Sequence, residues 1–203
     1  MSEDPGIEPA RPADADVIGR MHAGQISEGF LASLGPGFLS LLYDAMASSP
    51  STVLLVARAE GRVIGFVAGS PQPGAFFAEF RRRHLLGASV RIAPRALRPK
   101  VFRGVVESMR YMWEEGEGGP ELFAIAVDLS SRRAGTGTIL VRSLEQQLRD
   151  NGETSLSVVV GSANQGARAF YERLGFRLAG ELAVHRGEPS VRYTKSLSGG
   201  LAR

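Results

Sequence analysis

Residues 127–137 read V-D-L-S-S-R-R-A-G-T-G and run without a break into T-I-L-V-R-S-L-E-Q-Q-L-R. Just before them, E-L-F-A-I-A-V (121–127) is a short apolar run of the length and composition of a buried strand. Just after them, Leu140, Leu144 and Leu148 recur at i, i+4 and i+8, which predicts a helix from Gly135 to Arg149. Glycines at 135 and 137 let the backbone come close to a ligand and turn several N–H groups into one concavity. The helix start adds its own unpaired donors and partial positive charge. Arg132 and Arg133 flank this turn and can pair with phosphate oxygens. The segment therefore reads as a cradle for a pyrophosphate between a strand and a helix; the plainer alternative is a glycine-rich turn with no ligand. A Rossmann dinucleotide site would need G-x-G-x-x-G after the first strand and an acid ending the second, and neither occurs.

Working outward, S-L-S-V-V-V (155–160) reads as a second apolar strand and Asn164–Leu174 as a short helix. Asn164 suits a helix N-cap and Gly175 a left-handed helix end. F-R-L-A-G-E-L-A-V-H (176–185) and V-R-Y-T-K-S-L (191–197) form a final strand pair joined through 186–189. Strand, helix, strand and helix in series imply parallel neighbours with right-handed crossovers. Towards the N-terminus, helices are expected over Asp14–Ile26 and Gly37–Ala47. T-V-L-L-V-A-R-A-E (52–60) and V-I-G-F-V-A-G-S (63–70) then form a β-hairpin turning at Gly61-Arg62. Residues 75–117 break the pattern with two helical stretches, Phe76–Leu86 and Pro94–Glu114. The whole reads as a single α/β domain over 1–203. It has a mixed, centrally parallel twisted sheet of about six or seven strands flanked by helices. Residues 75–117 are a helical insertion between the third and fourth strands, and 198–203 a flexible tail.

The 203 residues include no Cys, which excludes a disulfide scaffold, a thiolate zinc site and cysteine nucleophile chemistry. His22, His84 and His185 lack ligand spacing, so no metal is expected. No apolar run reaches the roughly 20 residues that span a bilayer. The opening M-S-E-D-P-G-I-E-P is acidic and proline-bearing, unlike a secretory signal. A cytoplasmic protein with no membrane role is the expectation. The net charge of +3 is uneven: 81–110 holds nine basic residues against Glu107, or +8, leaving −5 for the rest.

The segments 127–138 and 163–176 together resemble the GCN5-related N-acetyltransferase (GNAT) family. The resemblance is good over Glu121–Leu197 and looser over Asp14–Ser70. It implies the fold just described, with acetyl-CoA as co-substrate. The family's R/Q-x-x-G-x-G/A motif binds the acetyl-CoA pyrophosphate, which implies that role for Arg132, Arg133, Ala134, Gly135, Thr136, Gly137 and Thr138. Asn164 matches the family's pantetheine-contacting asparagine, and Tyr171 the helix tyrosine that protonates the departing thiolate. Val127 or its neighbour Ala126 would direct a backbone N–H at the acetyl carbonyl. Leu129 stands where the family often has Pro, and Arg133 where it often has Gly; neither disturbs a backbone nest.

The implied activity is direct acetyl transfer to a primary amine of a small molecule within a ternary complex. An amino sugar or nucleotide-linked amino sugar is the acceptor suggested by 26–43 and by the basic insertion. For the group accepting the ammonium proton the candidates are Glu28, preferred, with His22, Glu79 and Asp128. Alternatives are acetylation of a protein N-terminus and a non-catalytic acyl-CoA-binding module. The arginine-rich segment lacks a nucleic-acid motif, so no such partner is expected; a homodimer would use the final strands and the insertion.

Overall fold

The hairpin turns at Glu60–Gly61, one residue earlier than Gly61-Arg62, because both residues adopt positive φ (50° and 74°). That pair of left-handed residues matches the twist of the flanking strands β2 (Val53–Ala59) and β3 (Arg62–Ser70). The computed structural model describes residues 5–26, 31, 34–96, 119–131, 135–185 and 188–198, with backbone alone over 85–96, 183–185 and 188. The remaining elements are β1 (Gly6–Pro9), α1 (Ala15–Gln25), α2 (Pro36–Ser48), α3 (Pro73–Ala96), β4 (Glu121–Val127), α4 (Thr136–Asp150), β5 (Ser155–Gly161), α5 (Gln165–Arg173), β6 (Arg177–His185) and β7 (Glu188–Ser196).

The seven strands form one sheet in the order β1-β2-β3-β4-β5-β7-β6. The mixed sheet flanked by helices is as expected, and β4–β5 is its only parallel neighbour pair among the described strands. The crossover through α4 makes that pair parallel. The chain then passes beyond β5 to lay down β6, and β7 returns antiparallel into the gap. The expectation of several parallel neighbours thus narrows to one.

Two departures from the sequence reading have local causes. Helix α3 continues through Ala96 rather than stopping at Leu86, since Gly87 costs a helix interior only about 1 kcal/mol. The second expected helix lies outside the described residues beyond Ala96. Strand β1 is too short and proline-bound to read from pattern. It is held to β2 by backbone pairing and by Arg58, which donates to Glu8 at 2.7 Å and to Asp14 at 3.0 Å.

One core lies on each face of the sheet. On one side α1 and α2 pack Ile18, Leu39, Leu42 and Tyr43 against Leu54, Val56, Phe66 and Ala68. Gly19 is required here, since a Cβ would stand 2.9 Å from the Ser40 nitrogen. Phe76, Phe77 and Phe80 at the start of α3 join this core, while Arg81, Arg82 and Arg83 stay exposed. On the other side α4 and α5 pack Leu140, Leu144, Leu148 and Tyr171 against Leu55, Val67, Leu156, Val158 and Tyr193. An ion pair from the half-buried Lys195 Nζ to the buried Glu145 Oε1 at 2.6 Å ties β7 to α4. Tyr193 donates to Glu172 Oε1 at 2.7 Å and ties β7 to α5.

Candidate active site

Strand β4 carries one residue more than β3 across the stretch they share. Ala68 faces Ala124 and Gly69 faces Leu122, which leaves Phe123 as a bulge. The bulge reverses the alternation of the strand. Leu122 packs with the α4/α5 core before it, whereas Ala124 and Ala126 face the α1/α2 core after it. The backbone turns over with the side chains. Asp128 N–H bonds the Ile64 carbonyl at 2.8 Å, so by alternation Ala126 also ladders with β3 and Val127 directs its N–H to the β5 side. On that side β4 and β5 are in register only at Glu121–Ser157 and Leu122–Val158. Beyond Leu122 the two strands part. Of Ala126 and Val127, it is Val127 whose N–H faces this opening.

A cavity of about 470 Å³ occupies the opening on the α4/α5 side of the sheet. Ile125, Ala126 and Val127 form one wall, and Gly135, Thr136, Gly137 and Thr138 another. Gly135 sits at φ 82°, a left-handed conformation that favours glycine, and so turns the chain sharply into α4. The first intrahelical bond is Ile139 N–H to the Gly135 carbonyl at 3.1 Å. Thr136, Gly137 and Thr138 therefore present N–H groups without intrahelical acceptors at the positive end of a 15-residue helix. A Cβ at Gly137 would lie 3.5 Å from Phe170 and 3.8 Å from Val127, in the slot between α4 and the opposite wall. These groups fit a pyrophosphate with an extended arm running towards Val127. Arg132, Arg133 and Ala134 lie outside the described residues, as does Glu28.

Four other wall residues were not anticipated from sequence, among them Ser131 just before the Gly135 turn. Phe170 and Arg173, one turn apart on α5, close the cavity and add a cation; their i, i+3 spacing on the second motif could have flagged them. Gln25 reaches it from the end of α1, and no sequence signal marked it.

Tyr171 is 4% exposed, packed edge-to-face between Phe170 and Phe176 at centroid distances of 5.3 and 5.4 Å. It adjoins Phe170 but is not itself a wall residue. Burial pushes its hydroxyl well above the ordinary tyrosine range, so it keeps its proton at any physiological pH. No hydrogen bond engages that hydroxyl among the described residues. Asn164 caps α5, its side-chain oxygen accepting from Ala167 N–H at 2.9 Å, and its amide group is left to act as a donor.

The described proton-acceptor candidates are separated. Glu79 pairs with Arg83 at 3.0 Å on α3, and Asp128 directly follows Val127. His22 is buried under α2, its Nδ1 2.6 Å from the Tyr43 hydroxyl and its ring stacked on Phe66. Desolvation pushes its pKa down to about 4 from an ordinary 6.5. The unfolded chain takes up a proton as pH falls through 6.5, while the folded chain stays neutral to about 4. Stability should therefore fall across that window by up to about 3 kcal/mol, and His22→Phe should flatten this part of the curve. Denaturant titrations at pH 7 and pH 4.5 read the difference; equal pH dependence in both proteins would remove His22 as its source.

The family model described as "Acetyltransferase (GNAT) family" matches residues 25–176, three quarters of the chain. The chain belongs to that family. Among curated proteins it is similar to N-acetyltransferase 8 of Rattus norvegicus, 38% identical over 61 residues, which cover 30% of this chain and 28% of that protein. Among solved structures it resembles an aminoglycoside 6'-N-acetyltransferase complexed with coenzyme A (TM-score 0.62, 15% identity, covering 96% of this chain and 98% of that one). It also resembles a ribosomal-protein-alanine N-acetyltransferase from Brucella melitensis (TM-score 0.62, 18% identity, covering 94% and 99%). At these identities the structural likeness establishes the fold alone.

Proposed function

We propose that this chain is an acetyl-CoA-dependent N-acetyltransferase acting on the primary amine of a small molecule, with amino sugars and nucleotide-linked amino sugars as the acceptor class. The carrying observation is that three N–H groups of the α4 start open on the same cavity as the parting of β4 from β5. Family membership and a structural neighbour complexed with coenzyme A support the reading. We place the protein in the cytoplasm, which supplies acetyl-CoA; among the described residues no helix is long and apolar enough to cross a membrane.

Acetyl-CoA supplies the acetyl group as a thioester. The chain does the rest by positioning. Thr136, Gly137 and Thr138 hold the pyrophosphate through backbone N–H groups, with Arg132, Arg133 and Arg173 adding charge. The Asn164 amide steadies the arm that runs along Phe170. Val127 N–H stabilises the negative charge that develops on the acetyl oxygen as the amine adds. Tyr171 gives its proton to the departing sulfur; the burial that raises its pKa also penalises a bare thiolate beside it. Glu28 takes the proton that the incoming ammonium must lose.

Thiol release from acetyl-CoA with a panel of amines tests the reading. Amine-dependent release is expected, with the N-acetyl product found by mass spectrometry. Coenzyme A binding without transfer to any amine or peptide would instead mean a non-catalytic binding module. Transfer confined to peptide N-termini would favour the protein-modifying reading, to which the Brucella neighbour lends weight.

A further inference from the structure

Helix α5 has nine residues, too few to hold an orientation by itself, yet it carries Tyr171. Arg168 and Glu172, at i and i+4, share one flank of this helix. Phe170 and Arg173 lie on the flank that closes the cavity, and Tyr171 enters the core from the arc between the two flanks. The first flank is pinned. Tyr193, fully buried on β7, accepts from Arg168 Nε at 3.1 Å and donates to Glu172 Oε1 at 2.7 Å. Arg168 Nη1 also donates to the Ser162 carbonyl at 3.1 Å, and Ser162 N–H bonds the Pro189 carbonyl at the start of β7 at 2.9 Å.

An arginine four residues before a glutamate is the weaker order for a direct helical ion pair, and among the described residues none joins Arg168 to Glu172. The tyrosine hydroxyl stands between them instead. Rolling the helix stretches both of its bonds, and sliding the helix along its axis stretches one while crowding the other. Among the described residues no other side-chain hydrogen bond joins α5 to the sheet. Tyr193 is itself held in register between Val158 on β5 and Leu178 on β6.

The consequence for Tyr171 is geometric. A tyrosine oxygen stands roughly 9 Å from its helix axis, so a roll of about 10° carries it about 1.5 Å. Misplacement of that order is enough to cost a reacting group most of its rate. The aromatic packing does not prevent such a roll, because Phe170 turns with the same helix and leaves Phe176 as the fixed neighbour. We propose that Tyr193 is a positioning residue for acyl transfer: its hydroxyl, bonded to Arg168 and Glu172, fixes the roll of α5 and so the aim of the Tyr171 hydroxyl. This rests on the reading of Tyr171 as the acid for its role in turnover, though not for the restraint itself.

Tyr193→Phe removes one oxygen and keeps the ring in the core. It should lower kcat by about tenfold while KM for acetyl-CoA stays within about twofold. Glu172→Gln, whose amide oxygen still accepts, should keep most of the rate that Glu172→Ala loses. A double-mutant cycle separates aim from stability. In the Tyr171→Phe background there is no proton to aim, and Tyr193→Phe should cost less than about twofold. An equal loss in both backgrounds is what a merely structural tyrosine gives and would overturn the proposal, as would a native kcat in Tyr193→Phe when Tyr171→Phe is slow. The NMR resonances of the Tyr171 ring read the restraint without turnover. They lie in the ring currents of Phe170 and Phe176 and should shift in Tyr193→Phe. A shift found while Tyr171→Phe keeps its native kcat supports the restraint, and the acid reading alone fails. Resonances that stay in place reject the proposal.

Discussion

Replacing Tyr171 with Phe is expected to lower kcat by about 100-fold or more while coenzyme A affinity changes by less than about twofold. The substitution removes a single oxygen from a ring whose packing neighbours are Phe170 and Phe176, so the aromatic contacts persist. No described group loses a hydrogen-bond partner, and the protein should melt within a few degrees of the native one. What disappears is the proton that burial holds on the hydroxyl. Without it, the sulfur must leave as a thiolate beside apolar walls, which is costly because charge is poorly solvated there. Because the Tyr171 pKa lies above the ordinary value near 10, kcat in the native protein should show no alkaline decline from this group below about that pH. Stopped-flow thiol release under saturating acetyl-CoA reads the effect. An unchanged kcat in Tyr171→Phe would remove the residue from the chemistry and leave it a core tyrosine.

Gly137→Glu should raise the dissociation constant for coenzyme A by about 100-fold or more without loss of fold. The backbone at 137 has ordinary helical geometry, and a Cβ there meets Phe170 and Val127 at 3.5 to 3.8 Å, normal van der Waals separations. A carboxylate in the first turn of α4 is also favourable to the helix by a few tenths of a kcal/mol. The cost falls on the ligand. The side chain enters the slot between α4 and Phe170, and its charge repels a pyrophosphate from the N–H groups of Thr136 and Thr138. Gly137→Gln separates the two effects, since it fills the same volume without the charge. Calorimetry should find Gln weakened less than Glu. Equal losses would mean that the site is guarded by shape alone, and unchanged affinity in Gly137→Glu would reject the cradle.

Much of the site was legible because its signals are local. The left-handed turn at Gly135, the leucine repeat of α4 and the Asn164 cap each depend on residues within one or two helical turns. The chain that follows β4 therefore marks a sharp strand-to-helix turn whatever surrounds it. The bulge at Phe123 was not legible, since E-L-F-A-I-A-V reads as an uninterrupted apolar strand on either register. It became visible only when its residues divided between two cores. Likewise Arg173 and Gln25 are ordinary helix-end residues until α5 and α1 are brought to one cavity.

By itself the sequence carried the resemblance to an acetyltransferase family in its two motifs, and it determined a mixed α/β fold and a glycine-bearing strand-to-helix turn. The fold and the turn follow from periodicity, glycine conformation and capping, which are short-range properties of the chain. Only the tertiary structure decided that β7 returns between β5 and β6 and that β4 turns over at Phe123. Each of these is a matter of register and of which face of a strand finds a core. A two-residue alternation looks the same from either side until the neighbouring elements cover one of them.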